Sequence, residues 1–355
     1  MNITRAILAV TLSAIGVQAQ TLPSSGVPAP TGPPLPAGVS VETRAAIEAG
    51  LAWLARNQAA DGSWRNAGSD GGYPVAMTSL AGMAFVASGS TPTRGRHWRE
   101  VRSAVDFLLR CADRSRTSGL IDHEGERQSM FGHGFATMLL ASVYGMEEDL
   151  VKQQRLKLAL DRATRLTSRA QSSAGGWIYT PDSNADEGSV TVTQIQAMRA
   201  CHMAGIVVDK RTVDRAVAYV KGCQNGDGGI RYRLSGPPAS RPAITAAGIA
   251  VFYNAGFYDD AEFVAAAYRF CDQHIRVRID TTNHHFYTHL YWSQALYQRG
   301  GQPWDDYYAE VSTWLRERQH RDGQWDGDSV GPVYGTAIAL TILQLPYALV
   351  PVYQR

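Results

Sequence analysis

The feature that most constrains this chain is an alternation. Six times, a turn marked by Gly or an aromatic residue precedes a helix-like stretch that contains no Asp, Glu, Lys or Arg. The turns are Asp61-Gly62-Ser63-Trp64, Ser118-Gly119-Leu120, Gly175-Gly176-Trp177, Asp227-Gly228-Gly229-Ile230, Asn283-His284-His285-Phe286 and Asp322-Gly323-Gln324-Trp325. The uncharged stretches run 74–93, 128–146, 188–198, 242–258, 284–298 and 329–350. A helix that is apolar or small on every side must be buried on every side, whereas 41–58, 101–110, 209–224 and 304–319 carry charge on one face and read as helices with one wet side. The chain therefore reads as six helical hairpins, each pairing an outer helix with an inner one.

The marks at 64, 120, 177, 230, 286 and 325 recur at intervals of about 40 to 57 residues, the range of repeat architectures. An open array needs polar caps on its terminal repeats. Here the last stretch, 332–345, is as apolar as the middle ones, so closure into a ring is expected. The result would be an all-α fold, an α/α toroid with an inner and an outer ring of helices. Small residues at Ala81-Gly82, Gly134, Ala246-Ala247-Gly248 and Gly335-Thr336-Ala337 suit the crowded inner ring.

Gln58 to Trp64 and Gln319 to Trp325 resemble the QW motif of the prenyltransferase and squalene-oxidase repeat superfamily, with Gly175-Gly176-Trp177 and Asp227-Gly228-Gly229 as weaker copies. The resemblance spans roughly 41–347. It implies the α/α toroid of terpenoid cyclases and protein prenyltransferase β subunits. It gives Gln58, Trp64, Trp177, Gln319 and Trp325 a structural role, tying an outer-helix end to its neighbour. The motif speaks for the fold and not for a reaction. The nearest counterpart of the cyclase acid run is Asp186-Glu187, two acids and no third, and neither the zinc-binding Asp, Cys and His of the prenyltransferases nor the Cys-Gly-Glu-Gln run of thioester domains is matched. The stretches 176–181, 188–194 and 333–338 look most like exported repeat proteins of this superfamily, a likeness that implies no activity.

Arg5 precedes an apolar run, Ala6 to Val17, followed by a small-residue cleavage pattern, so residues 1–19 read as a signal peptide and the protein as exported, periplasmic or extracellular. Residues 20–40, rich in Pro, Gly and Ser, read as a linker, and 41–355 as one toroid domain of six repeats. No later stretch reads as a membrane span. A formal charge of +2 carries no global bias toward nucleic acid. The cluster Arg94, Arg96, His97, Arg99 and Arg102 reads as a solvated loop and helix start. Cys111, Cys201, Cys223 and Cys271 read as buried thiols, with Cys201 and Cys223 the pair to examine for a disulfide.

Alternating hairpins aim all the inner helices one way, gathering their N-termini, with unpaired N–H groups and partial positive charge, around one mouth. The polar residues at those starts include Asp70, Tyr73, Gln128, His133, Asp186, Glu187, Arg241, His284, His285, His289, Asp328 and Tyr334. Asp186 and Glu187 are the candidate acids, either as a general acid raised by burial or as charges at a helix start with Ser189 as cap. Ligand-binding candidates are Tyr73, His133, Arg241, His285, His289, Asp328 and Tyr334. His285 and His289, four apart, suit two metal ligands or a packed core, and no metal or cofactor is expected. Arg241 suits a carboxylate or phosphate, or a pairing with Asp186 or Glu187. The leading expectation is an exported toroid that binds a lipid, glycan or protein ligand. A cyclase-like enzyme on polyprenyl substrates and a polysaccharide hydrolase or lyase are the alternatives.

Overall fold

The computed structural model describes residues 34–66, 73–124, 126–254 and 261–354. The expected leader, linker residues 20–33 and Asp70 lie outside them. Six inner helices alternate in sequence with six outer ones. The outer helices are α1 (Val41–Arg56), α3 (Trp98–Arg114), α5 (Leu150–Arg169), α7 (Lys210–Gly222), α9 (Ala261–His274) and α11 (Gly301–Arg318). The inner helices are α2 (Pro74–Ala87), α4 (Ser129–Tyr144), α6 (Gly188–Met203), α8 (Pro242–Asn254), α10 (His285–Arg299) and α12 (Pro332–Gln344).

Burial follows the charge pattern. Every residue of α2 is buried. In α3, by contrast, Val101, Ala104, Val105, Leu108 and Cys111 face inward at helical spacing, leaving Arg99 and Arg114 in solvent. Each inner helix packs on the next, and α12 packs on α2. The ring is closed. Among the described residues four hydrogen bonds stitch the seam: Gln344 Nε2 to the Ala84 carbonyl at 3.0 Å, Val333 N–H to Asn66 Oδ1 at 3.1 Å, Gln319 Nε2 to the Ala46 carbonyl at 2.9 Å and Arg56 to the Asp322 carbonyl at 2.9 Å.

One device holds hairpin to hairpin. Gln58 Nε2 donates to the Gly62 carbonyl and, across to the next outer helix, the Glu100 carbonyl. Gln171 serves Gly175 and Thr212, Gln224 serves Gly228 and Phe263, and Gln319 serves Gly323 and, past the seam, Ala46. The glycines at these turns have positive φ, and a Cβ on Gly62, Gly175, Gly228 or Gly323 would run into a carbonyl of the neighbouring outer helix. The indoles of Trp64, Trp177 and Trp325, fully buried, donate to the carbonyls of Leu54, Thr167 and Leu315, each at 2.8 Å.

The backbone N–H of each marker residue is received by a side chain one turn into the inner helix. Trp64 donates to Thr78, Trp177 to Thr191, Ile230 to Thr245 and Trp325 to Thr336. In the second hairpin His133 takes the threonine's place, its Nδ1 accepting from Ile121 N–H at 3.2 Å. Ile121, two residues after Gly119, is thus the second marker in place of Leu120. Phe286 lies inside α10, and the fifth hairpin turns earlier, with Ile275 and Val277 in the core. The four cysteines are buried and unbonded, Cys201 and Cys223 included.

Candidate functional site

The inner-helix N-termini form the mouth, as alternation requires, but at five of the six a donor is already taken by the hairpin that follows. Glu126 Oε1, ahead of α4, accepts the Val75 N–H at the start of α2 at 2.9 Å. The Tyr179 carbonyl receives Met130 N–H of α4, and the Tyr232 carbonyl receives Gly188 N–H of α6. Asp328, ahead of α12, accepts Phe286 N–H of α10 at 3.1 Å, and Asn66, ahead of α2, accepts Val333 N–H of α12. The expected ring of open anion-attracting ends is therefore closed at five of its six helices by protein acceptors.

What lines the mouth instead is aromatic. Tyr73, Phe131, Tyr179, Tyr232, Tyr287 and Tyr334 are half-buried against the core, at or just ahead of inner-helix starts. The Tyr179 and Tyr232 hydroxyls are 2.7 Å apart, and the Phe131 and Tyr179 rings 5.9 Å. Burial pushes the Tyr287 hydroxyl well above its ordinary range, with Tyr291, Glu187, Tyr334 and Tyr232 adding to the shift, so groups from four hairpins converge on it. The hydroxyls of Tyr287 and Tyr291 are both buried, with Thr193 and Tyr287 facing that of Tyr291.

Beneath this lining the lumen is spanned. Gln196 Nε2 of α6 donates to Gln294 Oε1 of α10 at 2.8 Å, with both side chains buried. Since α8 stands between these helices in the ring, the bond is a chord. Gln196 is eight residues past Gly188, roughly 12 Å below the mouth at about 1.5 Å per residue. Farther down, the terminal 3-10 turn Pro351–Tyr353 packs on α6 and buries Tyr353. The chord and this turn bound the mouth from below.

The expected site residues divide. Tyr73 and Tyr334 belong to the lining. Glu187, fully buried, is the N-cap of α6: its carboxylate accepts the Ser189 and Val190 N–H groups and the Ser189 hydroxyl, so Ser189 serves the cap and is not itself the cap. The backbone at Glu187 is extended, which sends adjacent side chains to opposite sides. Asp186 accordingly turns toward Tyr219 of α7 and the Leu234 N–H, and the two acids do not share a site. Asp328 is the cap described above, raised by burial.

His133 sits in the ring wall, not at the rim. Its Nε2 meets Thr167 at 3.0 Å, and burial lowers its pKa to about 4. His289 occupies the same helical position in α10, bonded to Tyr307 at 2.9 Å, with burial lowering its pKa to about 3. The His285 ring packs on it at 4.4 Å and on Trp314 of α11 at 4.6 Å, which directs both histidines to the space between the helix rings. Arg241 is exposed, with neither Asp186 nor Glu187 within ion-pair distance among the described residues.

Sequence reasoning missed Glu126, Tyr179, Tyr232 and the Gln196–Gln294 chord. Burial pushes the Glu126 carboxyl up to about 7, against the N–H groups of Val75 and His123 that it receives. Tyr179 and Tyr232 each stand two residues after a marker, Trp177 and Ile230, and that fixed offset was the available signal.

No family model and no curated protein matches the chain. Solved structures do. A type II terpene cyclase from Scytonema, in complex with geranylgeranyl dihydroxybenzoate, superposes with TM-score 0.60 at 14% identity over 87% of this chain and 98% of that one. An inactive variant of an α-1,6-mannanase from a Salegentibacter species, in complex with α-1,6-mannotriose, gives TM-score 0.62 at 8% identity over 86% of this chain and 99% of that one. The fold is the α/α toroid. At such identities the likeness concerns architecture alone, and the toroid's chemistry has to be read from its own mouth.

Proposed function

We propose that this toroid is an exported carbohydrate-binding protein that holds a glycan in its tyrosine-lined mouth without cleaving it. The observation that carries the reading is the mouth itself, phenol rings and hydroxyls from several hairpins above a polar glutamine chord. Flat aromatic faces stack on sugar rings, and the half-buried Tyr179 and Tyr232, whose hydroxyls meet at 2.7 Å, keep further hydrogen-bonding capacity for a polyhydroxylated ligand. A prenyl chain would call for a deep dry tunnel, which the chord interrupts. Cleavage of a glycosidic bond would call for two carboxyl groups about 5 to 10 Å apart across the ligand. Asp186 turns to the outer ring and Glu187 is committed as a cap, which supports binding over hydrolysis. A mannanase of like fold forms a complex with α-1,6-mannotriose, which supports a glycan as the class of ligand.

The leader at residues 1–19 motivates export, and the intact mass of protein recovered from its own host tests it. A mass corresponding to a start near residue 20 is expected, and an unprocessed chain in the cytosol would contradict it. Affinity electrophoresis in gels cast with soluble α-mannan, β-glucan or xylan tests the binding. Retardation by at least one polysaccharide, lost in Tyr232→Ala, is expected. Mobility unchanged in all three, together with a prenyl lipid retained in native mass spectrometry, would replace this reading with the cyclase-like one.

A further inference from the structure

We propose that the face opposite the mouth docks on an anionic lipid surface. Because inner and outer helices run in opposite directions, the described inner-to-outer turns lie on that face. These turns carry Trp98, Leu150, Val151, Met203, Val207 and Leu349, and three of them are almost free of protein, Leu150 being 78%, Val151 80% and Val207 83% exposed. A soluble surface places single apolar residues anywhere, but such a concentration at one end marks an interaction face. The turns adjoin one another. Leu349 reaches Gly89 in the turn after α2, and Arg94 of that turn pairs with Glu148 of the next at 2.7 Å.

Charge selects the occupant. Within the sector of this face formed by the starts of α3, α5 and α7 the acids are engaged: Glu100 lies 3.9 Å from His97, Glu147 is buried against Arg102 at 2.6 Å, Glu148 holds Arg94, Asp149 and Asp209 are the N-caps of α5 and α7, and Asp214 holds Lys210. Arg96, Arg99 and Lys152 are exposed with no carboxylate within ion-pair distance among the described residues, and Arg99 lies over the Trp98 ring at 5.2 Å. Apolar tips that enter the acyl boundary, flanked by cations at headgroup level, fit an interface with anionic lipid. A second copy of the chain meeting this face about a twofold axis would bring the same unpaired cations against one another. The face makes no demand on the interior, since no helix of the described residues is long and apolar enough to cross a membrane.

Vesicle flotation of the full chain tests this. With phosphatidylcholine vesicles containing phosphatidylglycerol the protein should float, and with phosphatidylcholine alone or at high salt it should not. The Leu150→Ser/Val151→Ser/Val207→Ser variant should float at least about tenfold less. Its melting curve should match the wild type, because these side chains are exposed. Failure to float with the anionic vesicles, or equal flotation of the triple variant, would overturn the proposal. So would a lipid-free dimer in sedimentation that the triple variant dissolves, since that result assigns the face to a second copy.

Discussion

Gln319→Ala offers a quantitative test of how the ring is held. The Gln319 amide donates to the Gly323 carbonyl at 2.9 Å and, across the seam, to the Ala46 carbonyl at 2.9 Å. Gln171, in the middle of the chain, makes the same pair to Gly175 at 2.8 Å and Thr212 at 2.9 Å. A net hydrogen bond contributes about 0.5 to 1.5 kcal/mol, so truncating either glutamine should cost about 1 to 3 kcal/mol. In a closed ring the two costs are alike, because the last repeat has a neighbour just as the third does. In an open array Gln319 would make only its local bond, and its loss would cost about half as much. Urea unfolding followed by circular dichroism measures both, with the wild type and Gln58→Ala as references. A Gln319→Ala midpoint shift of about half that of Gln171→Ala, or less, would refute the reasoning.

Further outcomes follow from the same geometry. His133 and His289 are buried neutral, with folded pKa values of about 4 and 3 below an ordinary 6.5. The unfolded chain then binds more protons between about pH 6.5 and 4, so both residues make stability fall as pH falls through that window. Glu126, raised to about 7, acts in the opposite sense between about pH 4.5 and 7. His133→Thr, which installs the residue used at this position in four other hairpins, should flatten the acid limb of a plot of melting temperature against pH, and an unchanged limb would contradict the assignment. Glu187→Ala should cost about 1 to 2 kcal/mol by removing the α6 cap while Asp186→Ala costs less, and equal losses in chemical denaturation would argue against the separation of the two acids. Gly175→Ala should lower stability by about 1 to 3 kcal/mol or more, since it meets both positive φ and the Arg215 carbonyl, and a melting temperature equal to wild type would show the turn to be looser than described.

The scaffold was legible in the sequence because its cause is coarse. A helix without charges must be buried on all sides, so the six uncharged stretches announced α2, α4, α6, α8, α10 and α12 with little help from local detail. Gln and Trp six residues apart announced the stitching, and the structure adds Gln171 and Gln224 to it. The site was less legible, because it depends on direction. His133 and His289 were polar residues near helix starts, as Tyr334 was, but one turn of helix sends the histidines into the wall while Tyr334 reaches the mouth. The caps were invisible for another reason. Glu126 serves a helix 51 residues away and Asn66 one 267 away, so neither shows the local spacing that identifies a cap in sequence.

Everything proposed for the mouth requires the first and last hairpins to meet. A Cβ placed on Gly331 would stand 3.3 Å from the Asn66 Cβ, close to disulfide spacing. Mild oxidation of Asn66→Cys/Gly331→Cys, read on a non-reducing gel, should give a monomer of altered mobility that reverts on reduction. Oxidation to intermolecular dimers alone, or no crosslink at all, would contradict the closed ring.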